Sequence, residues 1–261
     1  MSTSQNPGAA IVPLAHQRRR HLPASAAFGW LKAGWRDLCI QPGASLAYGL
    51  VVFAASLGII WLLFTLGIDY ILFPALAGFM VVGPLVAIGL YQKSLDIENR
   101  RRTSLLRMLF VEAQSGAQVL YTGAILCLLM LLWMRAAVII YALFFGLTPF
   151  PGLNSITDML ISTTEGWGML LVGTIVGGLF AAFSFAISMF GVPMLLDKKV
   201  DAFTAMGTSI SLVWNNKPVM LAWGLIVLVL FLLSVATGLV GLVVAFPLLG
   251  HATWHSYRAI G

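Results

Sequence analysis

The chain has 261 residues, 60% of them hydrophobic and only 9% charged, with a mean hydropathy of +0.95. Soluble domains carry about 25% charged residues, so an ordinary water-soluble domain is excluded. The net charge of +6 comes from residues that flank apolar runs, and so it does not point to a nucleic-acid binder.

Residues 1–24 contain Ser, Gln and Pro and then Arg18, Arg19 and Arg20. Lys32, Arg36 and Asp37 interrupt the stretch where a signal peptide would need an apolar region. A disordered basic tail is expected over 1–24, followed by a membrane domain over 25–261. In that domain Phe28, Leu31, Trp35 and Leu38 recur at helical spacing, with Lys32 and Arg36 off the stripe. This predicts an amphipathic helix lying at the bilayer surface, its apolar face towards lipid or bundle.

Apolar runs of about 20 residues then follow, the length needed to cross a bilayer. The first two predicted spans cover residues 44–66 and 70–90. A second amphipathic stripe (Leu105, Leu106, Leu109, Phe110, with Arg107 opposite) precedes a third span starting near Ala117 and a fourth over 166–190. A third stripe (Val200, Phe203, Met206, Ile210, Val213) precedes a 33-residue apolar block from Pro218 to Gly250. As one helix that block would be near 50 Å long, well over a hydrocarbon core of about 30 Å. Gly238 and Gly241 offer a turn, giving spans over 218–236 and 239–254. The fold expected is therefore all-α: a polytopic membrane bundle of six transmembrane helices.

Fourteen of the fifteen Lys and Arg residues fall in the N-terminal segment, the connections after spans two and four, and the C-terminus. The connections on the other side carry Asp69, Asp158 and Glu165. By the positive-inside rule both termini are cytoplasmic, which requires an even number of spans. Each stripe also introduces a pair of spans. Leu46-Ala47-Tyr48-Gly49-Leu50 resembles Leu221-Ala222-Trp223-Gly224-Leu225, and the second span of each pair carries a proline: Pro84, Pro193 and Pro247. Three repeats of interfacial helix plus two spans are expected, over about 25–91, 101–195 and 200–257. Such repeats occur in transporters and arise equally by duplication in structural membrane proteins.

Few residues suggest chemistry. Arg135 is the one basic residue inside an apolar run, and intramembrane charge is a functional hypothesis by default. If its helix starts at Ala117, Arg135 lies roughly 27 Å along it, at the outer interface, where Asp158 or Glu165 would meet it. If the span is 123–145 instead, Arg135 is central and lacks an acidic partner. His251 and His255 share a helix face beside Trp254. They are weak candidates for a metal or haem site, against a plain reading as the polar interfacial end of the last span. Gly173 and Gly177 form a GxxxG suited to helix packing. Asp197, Lys198, Lys199 and Asp201 read as a solvated helix start. Cys39 and Cys127 suit no disulfide framework. Nucleotide-binding, hydrolase-elbow and zincin motifs are not found. No catalytic residue, cofactor or metal ligand is assigned.

Several segments resemble one family: Gly34-Trp35-Arg36-Asp37-Leu38, Leu46-Ala47-Tyr48-Gly49-Leu50, Val82-Gly83-Pro84-Leu85 and Gly89-Leu90-Tyr91. Later come Phe185-Ala186-Ile187-Ser188, Pro193-Met194-Leu195-Leu196-Asp197, and the most specific, Pro247-Leu248-Leu249-Gly250-His251-Ala252-Thr253-Trp254-His255. Together they resemble the DUF2189 family of bacterial integral membrane proteins, over roughly residues 28–259. The resemblance implies an inner-membrane protein of unknown function. Some members are labelled putative cytochrome c oxidase subunits, a label that does not fit here. A haem–copper core needs several histidine ligands within spans, and this chain has four histidines, two of them (His16, His21) in the tail.

The function expected is non-enzymatic: membrane organisation, or service as an accessory to a membrane complex. Its partners would be the lipid bilayer and other membrane proteins or further copies of the chain, without nucleic acid. The rivals are a small solute transporter or channel, and a haem- or metal-binding respiratory accessory using His251 and His255.

Overall fold

The structure is a computed structural model and describes residues 21–146 and 150–260. The tail expected over 1–24 lies outside the described residues as far as residue 20. Among the described residues, twelve α-helices and one 3₁₀ turn make up the regular structure. In chain order they are α1 (Ala26–Cys39), α2 (Pro42–Thr65), the 3₁₀ turn (Asp69–Ile71), α3 (Leu72–Val86), α4 (Ile88–Glu98) and α5 (Leu105–Leu109). Then come α6 (Gly116–Phe145), α7 (Leu153–Ser162), α8 (Thr164–Ser188), α9 (Gly191–Asp197), α10 (Ala202–Asn215), α11 (Lys217–Ala236) and α12 (Leu242–Ile260).

Among the described residues, five stretches are long and apolar enough to cross a membrane: Pro42–Thr65, Asp69–Glu98, Gly116–Phe145, Thr164–Asp197 and Lys217–Ala236. The sixth expected span corresponds to α12, which is not among them. Its second half carries His251, His255 and Arg258 and is buried against protein.

Two of these stretches, Asp69–Glu98 and Thr164–Asp197, are broken near the inner ends of the second and fourth expected spans. The first divides at Ala87 into α3 and α4, three residues after Pro84. The other divides at Met189–Phe190, where the fourth expected span ends, into α8 and α9, just before Pro193. A proline ring removes an N–H donor and crowds the carbonyl four residues back; for Pro193 that carbonyl is Met189's. Pro247 stays within a continuous α12. The released donors find other partners, such as the Phe190 N–H, which donates to Ser209 Oγ at 3.1 Å.

α11 and α12 form a hairpin that turns through Gly238 and Leu239, both at positive φ. Trp223 of α11 packs edge-on against Trp30 of α1, with ring centroids 6.0 Å apart. His255 of α12 meets Asp37 of α1. The start of α11 and the end of α12 therefore lie at the same end of the bundle. The middle is filled by Phe79, stacked on Phe231 and tilted against Phe246, beside a cavity of about 60 Å³.

Of the two orientations expected for the apolar stripes, towards lipid or towards the bundle, most of the stripe residues take the outward one. In α1 the inward face is Ala27, Trp30, Gly34, Asp37 and, from the predicted stripe, Leu38, while Phe28 and Trp35 of that stripe are exposed. Leu106, Leu109 and Phe110 also face outwards, with Met108 buried. In α10 the stripe is split, Met206 buried and Phe203 and Ile210 exposed. The predicted stripes thus mark mainly the outer faces of these helices. Their inner faces combine small residues that a hydropathy count barely registers, such as Ala27, Gly34 and Ala205, with larger ones, such as Trp30, Met108 and Leu212.

Candidate functional site

The charged end of the bundle is closed by α1, α2, α4 and α12, which meet around side chains with almost no exposure. Close approach comes first. A Cβ on Gly34 would lie 2.6 Å from the Ala252 backbone nitrogen, and one on Gly49 would strike the Val243 carbonyl. These glycines let α1 and α2 press against α12, and that contact brings Asp37, Ser45, Lys93, Ser94 and His251 together. All five are at most 1% exposed.

Donor and acceptor capacities fix how they connect. The Ser94 hydroxyl donates to Asp37 Oδ2 at 2.8 Å, which uses its single hydrogen. His251 Nδ1, 2.9 Å from Ser94 Oγ, must therefore donate to it. In the neutral ring Nε2 is then an acceptor and receives the Ser45 hydroxyl at 2.8 Å. Ser45 Oγ in turn accepts from the Lys93 ammonium at 2.7 Å. This tautomer is assigned from the network.

The result is one directed chain, Lys93 to Ser45 to His251 to Ser94 to Asp37, with a cation at one end and a carboxylate at the other. Lys93 donates again to the Gln41 carbonyl at 3.0 Å. Gln41 adopts a left-handed backbone (φ 55°) between α1 and α2, an uncommon conformation for a non-glycine residue. At the other end His255 Nε2 lies 2.8 Å from Asp37 Oδ2. Burial pushes the Asp37 carboxyl pKa up, but the His255 hydrogen bond and charge, with the Ser94 hydroxyl, outweigh it and hold it below the ordinary carboxylate value. Asp37 Oδ1 makes no hydrogen bond; its nearest cation is Arg36 Nε, 3.9 Å away on a side chain 72% exposed.

Two further clusters extend the seam. Asp96 accepts from Gln92 Nε2 (3.0 Å), Thr103 Oγ1 (2.7 Å) and Arg107 Nε (3.1 Å), fastening α5 to α4. Glu98 accepts from Trp254 Nε1 at 3.0 Å and pairs with Arg258 at 3.3 Å. Arg258 also reaches Asp197 at 3.6 Å, and the Tyr257 hydroxyl donates to Asp197 at 2.9 Å. The last turns of α12 therefore bind the ends of both broken spans.

Of the residues singled out in the sequence, His251 and His255 both enter this network, through different partners. His251 is fully buried, rather than lying at an interface, and each of its ring nitrogens is within hydrogen-bond distance of a serine hydroxyl. Among the described residues no three His, Cys, Asp or Glu side chains converge as metal ligands would. Arg135 is exposed on α6, whose start at Gly116 places it roughly 28 Å along the helix. The ion pairs among the described residues involve Arg36, Arg107, His255 and Arg258; the pairing of Arg135 with Asp158 or Glu165 is not among them. Gly177 packs under the Trp133 ring, where a Cβ would come within 2.8 Å, while Gly173 faces open space. Asp201 does cap a helix, α10, accepting from the Thr204 N–H at 2.9 Å. Asp197, expected to be solvated, is tied to Tyr257 and Arg258. Cys39 and Cys127 are free and exposed.

Lys93, Asp37, Ser45 and Ser94 are the residues that the sequence reading passed over. Lys93 and Asp37 look like loop charges because they follow or precede apolar spans. The signal that would have found them is the family-like motifs themselves. Asp37 lies within Gly34–Leu38, Ser45 adjoins Leu46–Leu50, Lys93 and Ser94 follow Gly89–Tyr91, and His251 and His255 lie in the last motif.

A chain whose described residues are helical, with five membrane-length apolar stretches among them and most of the charged groups gathered at one end, is a polytopic integral membrane protein. Over residues 72–197 it matches the family described as predicted integral membrane protein, DUF2189, so the resemblance read from the sequence holds over that stretch. The match contains Lys93, Ser94, Glu98 and Asp197 and ends before α10. No curated protein and no solved structure matches the chain.

Proposed function

We propose that the protein is a non-enzymatic, six-span component of the bacterial inner membrane that organises the membrane or serves as an accessory to a membrane complex. The observation that carries this reading is the use made of the buried polar groups. Lys93, His251 and Asp37 are linked through the Ser45 and Ser94 hydroxyls and so join four helices, and the middle of the bundle is packed with Phe79, Phe231 and Phe246. A transporter would need such groups along a passage. A haem site would need a free lone pair on His251, and Nε2 already accepts from Ser45. Much of each long helix faces outwards, as surfaces for lipid, other membrane proteins or another copy of the chain.

Six spans, with both termini cytoplasmic, are supported by the α11–α12 hairpin, whose two ends lie together beside α1, and by the basic residues around that end. α12 returns through the bundle behind the other helices, so it needs less hydropathy than a lipid-facing span. The order interfacial helix, span, broken or proline-bearing span recurs from α1, α5 and α10, which supports the threefold repeat.

Reporter fusions test the topology: one at residue 261 is expected to be cytoplasmic and one between residues 155 and 165 periplasmic. Fusions on the same side would remove the six-span reading. For the accessory role, membranes solubilised in mild detergent should yield the protein in an assembly larger than its own 28.1 kDa plus detergent. A solitary protein with catalysed solute flux in vesicles would overturn the reading.

A further inference from the structure

We infer that the outer face of α1, together with Leu248 of α12, is a binding site for an anionic phospholipid, its acyl chain in the groove and its phosphate on Lys32 and Arg36. This rests on the reading of α1 as a helix at the bilayer surface and not on the accessory role.

The helical wheel separates the two faces of α1. Taking Phe28 as zero and 100° per residue, Trp35 lies about 20° to one side and Lys32 about 40° to the other, with Arg36 beyond it. Asp37 lies about 180° away. The one acid of α1 thus points into the bundle, 1% exposed and bonded to Ser94 and His255. It reaches the outer cations only at Arg36 Nε, 3.9 Å from Oδ1 on a side chain 72% exposed, so Lys32 faces outwards with no carboxylate from its own helix and Arg36 retains further N–H donors for a second anion. Glu98, an acid at the same end, is held by Trp254 and Arg258.

Beside those cations is a groove of about 350 Å³ lined by Phe28, Leu31, Lys32, Trp35 and Leu248. Its size is within the range of small-molecule sites, roughly 300–1,000 Å³. Its walls are apolar except for Lys32. Phe28 is 64% exposed and Trp35 51%, a large apolar surface that needs a cover. An apolar slot with a cation at its rim is complementary to one occupant at a bilayer surface: a lipid with a negative headgroup. A soluble anion would leave the slot open, and a zwitterionic lipid would leave the cations without a net opposite charge.

The test uses the full-length protein purified in detergent and titrated with phosphatidylglycerol or phosphatidylcholine of identical chains, bound lipid being counted by native mass spectrometry. Phosphatidylglycerol should bind more tightly. Each interfacial cation is worth about fivefold in affinity for an anionic lipid. Lys32→Gln with Arg36→Gln should therefore lose phosphatidylglycerol binding by roughly 25-fold and leave phosphatidylcholine unchanged. Leu248→Trp, which fills the groove, should weaken both lipids. Inorganic phosphate at millimolar concentration should not compete. Equal affinity for the two lipids, or no change in the double variant with its unfolding temperature retained, would overturn the proposal; so would competition by free phosphate. If the double variant fails to fold, Leu248→Trp decides: unchanged lipid binding there is equally fatal.

Discussion

At the charged end, α1, α2, α4 and α12 meet through side chains with almost no exposure and through glycines that admit another backbone, whereas α6 and α8 turn most of their length outwards. Leu120, Leu143, Leu171 and Leu179 are each more than 60% exposed, and of the most apolar stretch of α8–α9 only 11% is buried within the chain. The difference follows from the solvent each region meets. In a bilayer, apolar side chains gain nothing by hiding from lipid, so α6 and α8 require only length and hydropathy. The charged end holds ionised and hydrogen-bonding groups away from water, and such groups are stable only when partnered. Specific structure is therefore concentrated where the polar residues are.

Substitutions that separate the two regions should show this contrast. Asp37→Ala strips the carboxylate from His255 and Ser94 and leaves Lys93 without a countercharge at the end of the chain. Breaking a buried pair this way costs about 3–5 kcal/mol, to be measured by thermal or denaturant unfolding in detergent. Leu179→Ala on the outward face of α8 should stay within about 0.5 kcal/mol, as surface substitutions do. Comparable losses at the two sites would mean that the regions do not differ in this way.

Glycines sharpen the comparison. Gly34→Ala places a methyl 2.6 Å from the Ala252 backbone and should cost about 1–3 kcal/mol through overpacking. Gly173→Ala meets nothing within 4 Å and should gain up to about 1 kcal/mol from helix propensity. The GxxxG pattern would suggest the opposite ranking. An unfolding-temperature series across both variants checks the order.

Acid should act on the charged end before it acts on the apolar spans. The folded Asp37 carboxyl has its pKa held below its ordinary value of 3.8. Its stabilisation is therefore complete above that value and is lost as pH falls through the lower, folded one. Stability measured from pH 6 down to pH 3 should fall at the acid limb, and Asp37→Asn should flatten that limb. An unchanged limb in Asp37→Asn would remove the carboxylate from the account. The smallest effect is expected at Arg135, exposed on α6: Arg135→Gln should leave unfolding within about 0.5 kcal/mol.

Much of the fold is legible in the sequence because the bilayer writes it as hydropathy and charge. Four spans follow directly from run length, and Gly238 locates the turn of the last hairpin. The breaks at Ala87 and Met189–Phe190 lie near the prolines, though hydropathy carries through them. The candidate site is much less legible. Lys93 and Asp37 are 56 positions apart, and a count of basic loops treats both as solvated. Only the packing of Gly34 and Gly49 against α12 brings them to one seam. His251 and His255 were visible as a pair, but their partners, Ser45, Ser94 and Asp37, come from three other helices. The inner face of α1 is hard to read for the same reason, since Ala27 and Gly34 carry little hydrophobic signal and much of the contact.

The central claim is that the Lys93–Ser45–His251–Ser94–Asp37 chain fastens helices together and conducts nothing. The most direct test is proton movement into sealed vesicles containing the purified protein, followed with an internal pH-sensitive dye under an imposed gradient and potential. The account predicts a leak equal to that of empty vesicles, unchanged in Ser45→Ala. A leak well above empty vesicles that disappears in Ser45→Ala, with the protein still folded, would contradict it.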